Sequence, residues 1–483
     1  DLEKNDKNRL EKAKNYLTEK IILGENPAST YLLHDLDLSI HEINGVKIRW
    51  ESDNPKVINS HGKIFRPALG PAPDVKIHAH FSSGNLTDTK SFHFTVIPQK
   101  LEMNFLRIRV ESSIVAFEWT PCLIEWIDER GMQQKNWLPG KIKHHGVTAL
   151  HYAKKSFKIR FDQPQTFMDF TPSKDFILTS SHADRTLMRN QLTYDLFRSF
   201  STSDRPSYAP NHHMIELSID GVYEGVYEIC EIVDANTVGL NPYNPNDSHH
   251  SVLYKAWGNE AGFSSFGHSS YEQKEPHVKH GNHWKPYEEL IAFLGTSPRE
   301  VFEKEVEKII DIDNVIDFQI ILNFAFNTDG TNHNLFIARN NRNGDRFFII
   351  PWDYDKSLGG AHDQILSNHL IDRLMSEFPN YKSRLRARWQ ELRKTSLSEK
   401  ALMERIDNLE DLIRSGAERN YKTRPLPETE SHERYVNHLR EWIRKRLIFM
   451  DGWIKNLDIK NSSPNPQNDI SKASKAQKNR LST

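Results

Sequence analysis

The sequence predicts an α+β protein in which a small β-sandwich precedes a larger domain that is strand-rich in its first half and helical in its second. Three observations carry this. Val75, Ile77, Ala79 and Phe81, then Phe92, Phe94 and Val96, alternate with polar neighbours as half-buried strands do. Between residues 155 and 233 the order is strand, helix, hairpin, and amphipathic helices fill most of residues 365–457. At 483 residues the chain is also too long for one average domain and suggests two or three.

Taken in order, residues 1–24 read as an N-terminal helix. Leu10, Ala13, Tyr16, Leu17 and Ile21 recur at helical spacing, and Gly24 stops them. Residues 25–98 are the β-sandwich, and Ile97-Pro-Gln-Lys100 reads as a linker. Strands continue from residue 101 through Lys155-Ser-Phe-Lys-Ile-Arg-Phe161, where Phe157, Ile159 and Phe161 share one face and Lys158 takes the other. Asp184 can cap a helix whose buried stripe is Met188, Leu192, Leu196 and Phe200. Asp220-Gly221, between two apolar runs, is a hairpin signal. Ser297-Pro-Arg-Glu300 reads as a capping box, and Asp313 as the cap of a helix over 315–326 that is apolar nearly all round and so must be buried. The tail 461–483 has almost nothing to bury and is expected to be disordered.

A net charge of −1 removes the electrostatic case for nucleic acid or an anionic membrane as main partner. No apolar run approaches the roughly 18 residues of a membrane helix. Cys122 and Cys230 give neither a disulfide framework nor a zinc motif, leaving one bridge open. The chain starts at Asp1 without a Met, so a segment such as a secretory signal is expected to have been removed before it.

Two acidic clusters carry the chemistry, Asp329-Gly-Thr-Asn-His-Asn334 and Pro351-Trp-Asp-Tyr-Asp355, each at the edge of an apolar segment. An Asp followed five positions later by an Asn is the spacing between the catalytic-loop Asp of a protein kinase and its metal-binding Asn, and a further Asp after the next strand supplies the main metal ligand. Either cluster alone could be a polar turn. In this order they favour phosphoryl transfer: Asp329 toward the acceptor hydroxyl, Asn334 and Asp353 on Mg²⁺, Asp355 as a second carboxylate, and Lys158 on the nucleotide phosphates with Lys155 as fallback.

These residues, with Lys155-x-x-Lys158, Asp184 through Asn190 and Tyr223-x-Gly-x-Tyr-x-x-x-Glu231, resemble the spore-coat-H (CotH) kinase-like family over roughly residues 101–455. Ile48 to Pro67, with its Trp-x-Ser-x-Asn-Pro run and Gly turn, is similar to bacterial immunoglobulin-like modules. The resemblance implies a two-lobed atypical protein-kinase-like fold (N-lobe about 101–234, C-lobe about 235–460), with ATP and Mg²⁺ as cofactors. It also implies transfer to Ser/Thr hydroxyls of a secreted, surface or coat protein. Asp329 matches the family's catalytic Asp, Asp353 its metal-binding Asp and Asn334 its catalytic-loop Asn; Lys158, Lys155 and Glu231 are assigned to the nucleotide. The alternatives are a nucleotidyl transferase or small-molecule kinase on the same scaffold, or a non-catalytic, adhesin-like surface protein.

Departures from an ordinary kinase lie on the nucleotide side. There is no G-x-G-x-x-G before Lys158, only Gly146 in Lys143-His-His-Gly146, and the first helix lacks a Glu, leaving Asp184, Asp195 or Glu231 to pair with the lysine. His277, His280 and His283 read as a solvated loop, not a metal site. Tyr223, Tyr227 and Trp352 read first as packing residues, with stacking on a base or sugar as the alternative.

Overall fold

The computed structural model describes residues 2–457 except 69–72, 129–136, 167, 204–206, 248, 259–261, 264–267 and 341–344. The expected tail lies outside these residues. The chain is mixed α/β, with an N-terminal sheet module and a larger domain. In the module, helix α1 (Leu2–Tyr16) and a short α2 (Glu19–Ile22) precede strands β1 (Glu42–Ile43), β2 (Val46–Ser52), β3 (Asp74–Ser83) and β4 (Leu86–Thr95), which pair antiparallel in that order. The alternating positions Val75, Ile77, Ala79, Phe81, Phe92 and Phe94 face inward onto Leu10, Ala13 and Leu17 of the N-terminal segment, so α1 is part of the module's core. The segment read as a linker is tied down: Ile97 and Leu101 are buried, and Arg66 donates to the carbonyls of Ile97 (2.9 Å) and Pro98 (2.6 Å).

Seven strands follow, β5 (Asn104–Val110), β6 (Thr120–Ile127), β7 (Leu138–His145), β8 (Ser156–Gln165), β9 (Ser173–Thr179), β10 (His212–Ile219) and β11 (Val222–Glu231). They close into a barrel through a parallel pairing of β10 with β5. Alternation fills its interior with Ile108, Ile124, Ile142, Ile159, Phe161, Phe176, Leu217 and Ile229. The β10–β11 hairpin turns at Asp220 (φ 51°) and Gly221 (φ 76°), the two left-handed positions a two-residue hairpin loop needs. Helix α3 (Arg189–Arg198) crosses from β9 to β10, and Met188, Leu192, Leu196 and Phe200 are buried as its stripe requires.

After a short α4 (Ala235–Val238), β12 (Val252–Ala256), β13 (Tyr271–Glu275), β14 (Leu335–Arg339) and β15 (Phe348–Pro351) form a second antiparallel sheet in the order 13-12-14-15. Helix α7 (Ile312–Ala325) packs on this sheet through β15; α5 (Lys285–Thr296), α6 (Arg299–Ile309), α8 (His369–Glu377), α9 (Tyr381–Lys394) and α11 (His432–Lys455) pack on one another and on α7, and α10 (Glu399–Thr423) packs on β11 of the barrel. Helix α7 is buried on all sides, as its composition demands.

Two expected caps differ. Asp311, not Asp313, accepts from Asn314 N (3.2 Å) at the start of α7, while Asp313 binds Arg384 (2.7 Å). Ser297 donates back to Phe293 O (2.6 Å) and leaves α6 without a side-chain cap. Cys122 and Cys230 are buried free thiols, so the bridge left open by the sequence does not form. Among the described residues no helix is long and apolar enough to cross a membrane.

Candidate active site

The two acidic clusters meet because β14 and β15 are antiparallel neighbours with Leu335 opposite Pro351, which sets Asn334 at the start of one beside Trp352 and Asp353 at the end of the other. The Trp352 N–H donates to Asn334 O (2.9 Å). Both Asn334 (φ 50°) and Asp353 (φ 56°) are left-handed, a conformation that turns the chain out of the sheet and is costly unless held. Asn327 Nδ2 (3.0 Å) and Asn334 Nδ2 (3.2 Å) both donate to Asp353 O. From the other side α3 contributes Tyr194, whose hydroxyl accepts the Asp353 N–H (2.5 Å), and Asn190, whose Oδ1 accepts the Tyr354 N–H (2.6 Å). The loop bearing Asp353 and Asp355 is therefore clamped between α3 and the turn after α7.

Helix α7 ends at Ala325, and a 3₁₀ turn, Thr328–Thr331, carries Asp329. Its carbonyl accepts from His333 N (2.7 Å), and its exposed carboxylate bears electrostatically on both Asp353 and Lys356. Asp353 keeps an exposed side chain while protein surrounds it on its other sides, the signature of a cleft floor. Burial raises its pKa, and Lys255 opposes the rise. Asp355 is pushed up to about 8, by burial first and then by the Asp353 carboxylate beside it. Two carboxyl groups held side by side keep a proton or attract a cation. Asn334 turns its side-chain nitrogen to the Asp353 carbonyl, which leaves its oxygen as an acceptor.

The cationic side of the cleft differs from expectation. Lys158 pairs with Asp175 (3.4 Å), and burial lowers its pKa. It sits opposite Lys143 in the β7–β8 pairing and within electrostatic reach of Lys255 and Lys274. Lys155 is drawn away to the carbonyl of Leu150 (2.6 Å). Glu231 is not brought to the acidic clusters: it is buried, and its two oxygens accept from the backbone of Thr171 (2.8 Å) and Asn211 (3.1 Å), so it fastens loops to the barrel.

The lysine that acts most on Asp353 is Lys255 on β12, poised over Phe336 (5.8 Å) and Trp352 (5.7 Å), while Lys356 acts on Asp355 and Asp329. The signal of Lys255 in the sequence is a lysine inside the apolar strand Val252-Leu-Tyr-Lys-Ala256. With Lys143, Lys158 and Lys274 it surrounds His145, whose pKa is depressed to about 3 by burial and then by these charges. A field of four lysines opposite three aspartates suits a polyanion bridged to a metal.

The remaining motif residues are structural. Gly225 has φ 99°, and a Cβ there would fall 2.2 Å from Asn420 Oδ1, so only glycine lets α10 approach. Asn420 Oδ1 in turn accepts from Lys154 Nζ (3.0 Å), and that ammonium lies 4.5 Å over the ring of Tyr227. Tyr223 donates to Glu216, and Tyr227 to Lys155 O (2.9 Å). Both tyrosines thus pack and bond within the protein. Asp184 accepts from Met188 N (2.9 Å) and Arg189 N (2.8 Å) from the turn before α3, whose N-cap position is Met188 and not Asp184 as expected. His280 and His283 pack with Tyr243 and His250.

Residues 142–450 match the CotH kinase protein family, more than half of the chain, and the protein belongs to that family. Residues 10–99 match the atrophied bacterial Ig domain, a span that takes in the C-terminal part of α1. The chain is 28% identical over 225 residues to the inner spore coat protein H of Bacillus subtilis (strain 168), a match covering 45% of this chain and 58% of that protein.

Proposed function

We propose that the chain is an atypical protein kinase that transfers the γ-phosphoryl group of ATP to Ser/Thr hydroxyls of a coat or surface protein with Mg²⁺ as cofactor. The observation that carries this reading is the convergence of Asp329, Asn334, Asp353 and Asp355 on one clamped turn, with Lys255 facing Asp353. The barrel and the helical half are read as two lobes enclosing the nucleotide. Among the described residues no three His, Cys, Asp or Glu side chains are close enough to make a metal cage. Mg²⁺ takes one or two carboxylates and completes its shell with water and substrate phosphates. Asp353, Asp355 and the Asn334 oxygen would hold it; when bound it neutralises charge on the phosphates.

The chain's own residues do the rest. Lys255, with Lys158 and Lys274, orients the phosphate chain, replacing the missing glycine loop by a wall of cations. Asp329, exposed at the cleft mouth, accepts the proton of an approaching hydroxyl, and Lys356 beside it balances its charge. The coat or surface location is carried over from the name of the B. subtilis relative. Incubation with ATP labelled at the γ or α phosphate tests the proposal. Protein-bound γ label is expected; α label would mean nucleotidyl transfer, and failure to bind ATP would remove the enzymatic reading.

A further inference from the structure

The last turns of α11 carry an apolar surface that the fold leaves uncovered. Ile448 is 74% exposed, and with Met375 of α8, Phe449, Trp453 and Leu457 it lines a hollow of about 750 Å³. On this face of the helix Lys445, Ile448, Gly452 and Lys455 follow one another at spacings of three and four, so the isoleucine stands between two lysines. Gly452 has no internal reason to be glycine. A Cβ there would meet nothing within 4 Å, and glycine inside a helix costs stability relative to alanine. What it leaves is an open notch beside an exposed apolar side chain.

A second hollow lies between α9 and α11, lined by Arg386, Trp389, Arg393, Lys394, Asp451 and Lys455. The acids around both hollows are engaged: Asp451 by Arg393 (3.0 Å) and the Trp389 N–H (2.8 Å), Glu377 by Arg373 (3.0 Å), and Glu391 by Arg388 (2.8 Å). Lys382, Lys394 and Lys455 pair with no acid among the described residues. Lys382 and Lys394 are about 18 Å apart along α9, the length of just over three helical turns. Residues 458–483 carry five lysines and arginines against two aspartates, so their charge has the sign of these lysines and is repelled by them.

We propose that the groove formed by α8, α9 and α11 docks an acidic amphipathic helix of a protein partner. Its apolar side chains enter the hollow at Ile448 and Gly452, and its carboxylates meet Lys382, Lys394 and Lys455. Docking here needs neither ATP nor Mg²⁺, so the inference goes beyond the kinase reading and is tested apart from it.

The probe is a fluorescein-labelled synthetic helical peptide with leucines at i, i+4 and i+7 flanked by glutamates, compared with a twin in which every glutamate is lysine. Fluorescence anisotropy reads binding to the full chain. The glutamate peptide is expected to bind about tenfold or more tightly than its twin. Ile448→Glu should weaken it by about tenfold or more with an unchanged melting temperature, because the native side chain already stands in solvent. Gly452→Gln, which fills the notch, should melt no lower than the parent and also bind more weakly. Lys394→Glu combined with Lys455→Glu should turn the preference toward the lysine twin. Equal binding of the two peptides, failure of both to bind, or a preference that survives Ile448→Glu overturns the proposal. Self-association in sedimentation velocity that Ile448→Glu abolishes would assign the groove to a second copy of the chain and overturn it as well.

Discussion

Asp353 and Asp329 are held differently, and this separates their predicted lesions. Asp353 is fixed by four side chains acting on residues 353 and 354, with its carboxylate on the cleft floor, so Asp353→Ala removes the proposed cation ligand from an otherwise intact turn. Mg²⁺-dependent ATP binding should disappear in equilibrium titration. Asp329 is exposed on a 3₁₀ turn, and Asp329→Asn should bind ATP normally while phosphorylation of the substrate falls about 10²–10⁴-fold, the usual weight of a general base. If the two variants lose binding and transfer in parallel, the division of roles is wrong. On the cationic side, Lys255→Met should raise KM for ATP roughly 10–100-fold, the loss expected for a charged hydrogen bond, with the fold unchanged by circular dichroism. Lys155→Met, which removes only a bond to Leu150 O, should leave KM within about twofold, as expected for a side chain outside the site. The opposite ranking would return the phosphate role to the β8 strand.

Helix α3 shows how much of the site could be read from the chain. Its buried stripe follows from spacing and residue type, and the two acidic clusters stand out by their order, whereas Asp184 reaches the first amide of the helix from the turn before the N-cap Met188. What could not be read is pairing across distance. Lys255 is a lone lysine in an apolar strand until the β12–β14 pairing brings it over Phe336 and Trp352. Glu231 looked like a partner for Lys158 because a strand end is the same in sequence whether it meets a ligand or two loop amides. Closure of seven strands into a barrel rests on a parallel β10–β5 contact that leaves no local signature. The contact of α3 with β10 predicts a pH response. His212 is buried, stacks on Tyr194 at 4.4 Å, and is pushed down to about 3 by burial. In the unfolded chain it titrates near 6.5, so as pH falls below that value the unfolded state takes a proton the folded state refuses. Stability is complete above pH ~6.5 and drops toward pH 3 by up to ~1.4 kcal/mol per unit. His212→Phe keeps the stack and should flatten this part of the denaturant-stability profile; an unchanged slope between pH 6.5 and 4 would assign the acid sensitivity elsewhere.

At the scale of the whole molecule, the N-terminal module is joined to the barrel and to α10 through one buried junction. Tyr31 of the module lies 3.9 Å, centroid to centroid, from Phe105 of β5, and Arg419 of α10 is 5.2 Å over the Tyr31 ring. Arg419 makes a two-pronged ion pair with Glu216 of β10 (2.8 and 2.7 Å), whose carboxylate also accepts from Tyr223. Ala28, Leu33, Ile97, Leu101 and Ile127 close the cluster against water, and Lys422 reaches Asp74 (2.5 Å) at its edge. A linker would let the module melt by itself; this junction makes its loss expose Phe105 and unseat Arg419. The module and the larger domain should therefore unfold in a single calorimetric transition. Tyr31→Ala, deleting the ring at the centre, should lower that one transition by an amount equivalent to about 3–5 kcal/mol, as for other buried aromatic truncations. Arg419→Met should cost a similar ~3–5 kcal/mol by stranding Glu216 in the interior, although the altered side chain belongs to α10 and the charge it abandons to β10. Two resolved transitions, with Tyr31→Ala moving only the lower one, would show that the module folds independently and that the junction is a surface contact. A single transition shifted by both variants means that the sheet module sets the stability of the barrel wall from which β8 presents Lys158.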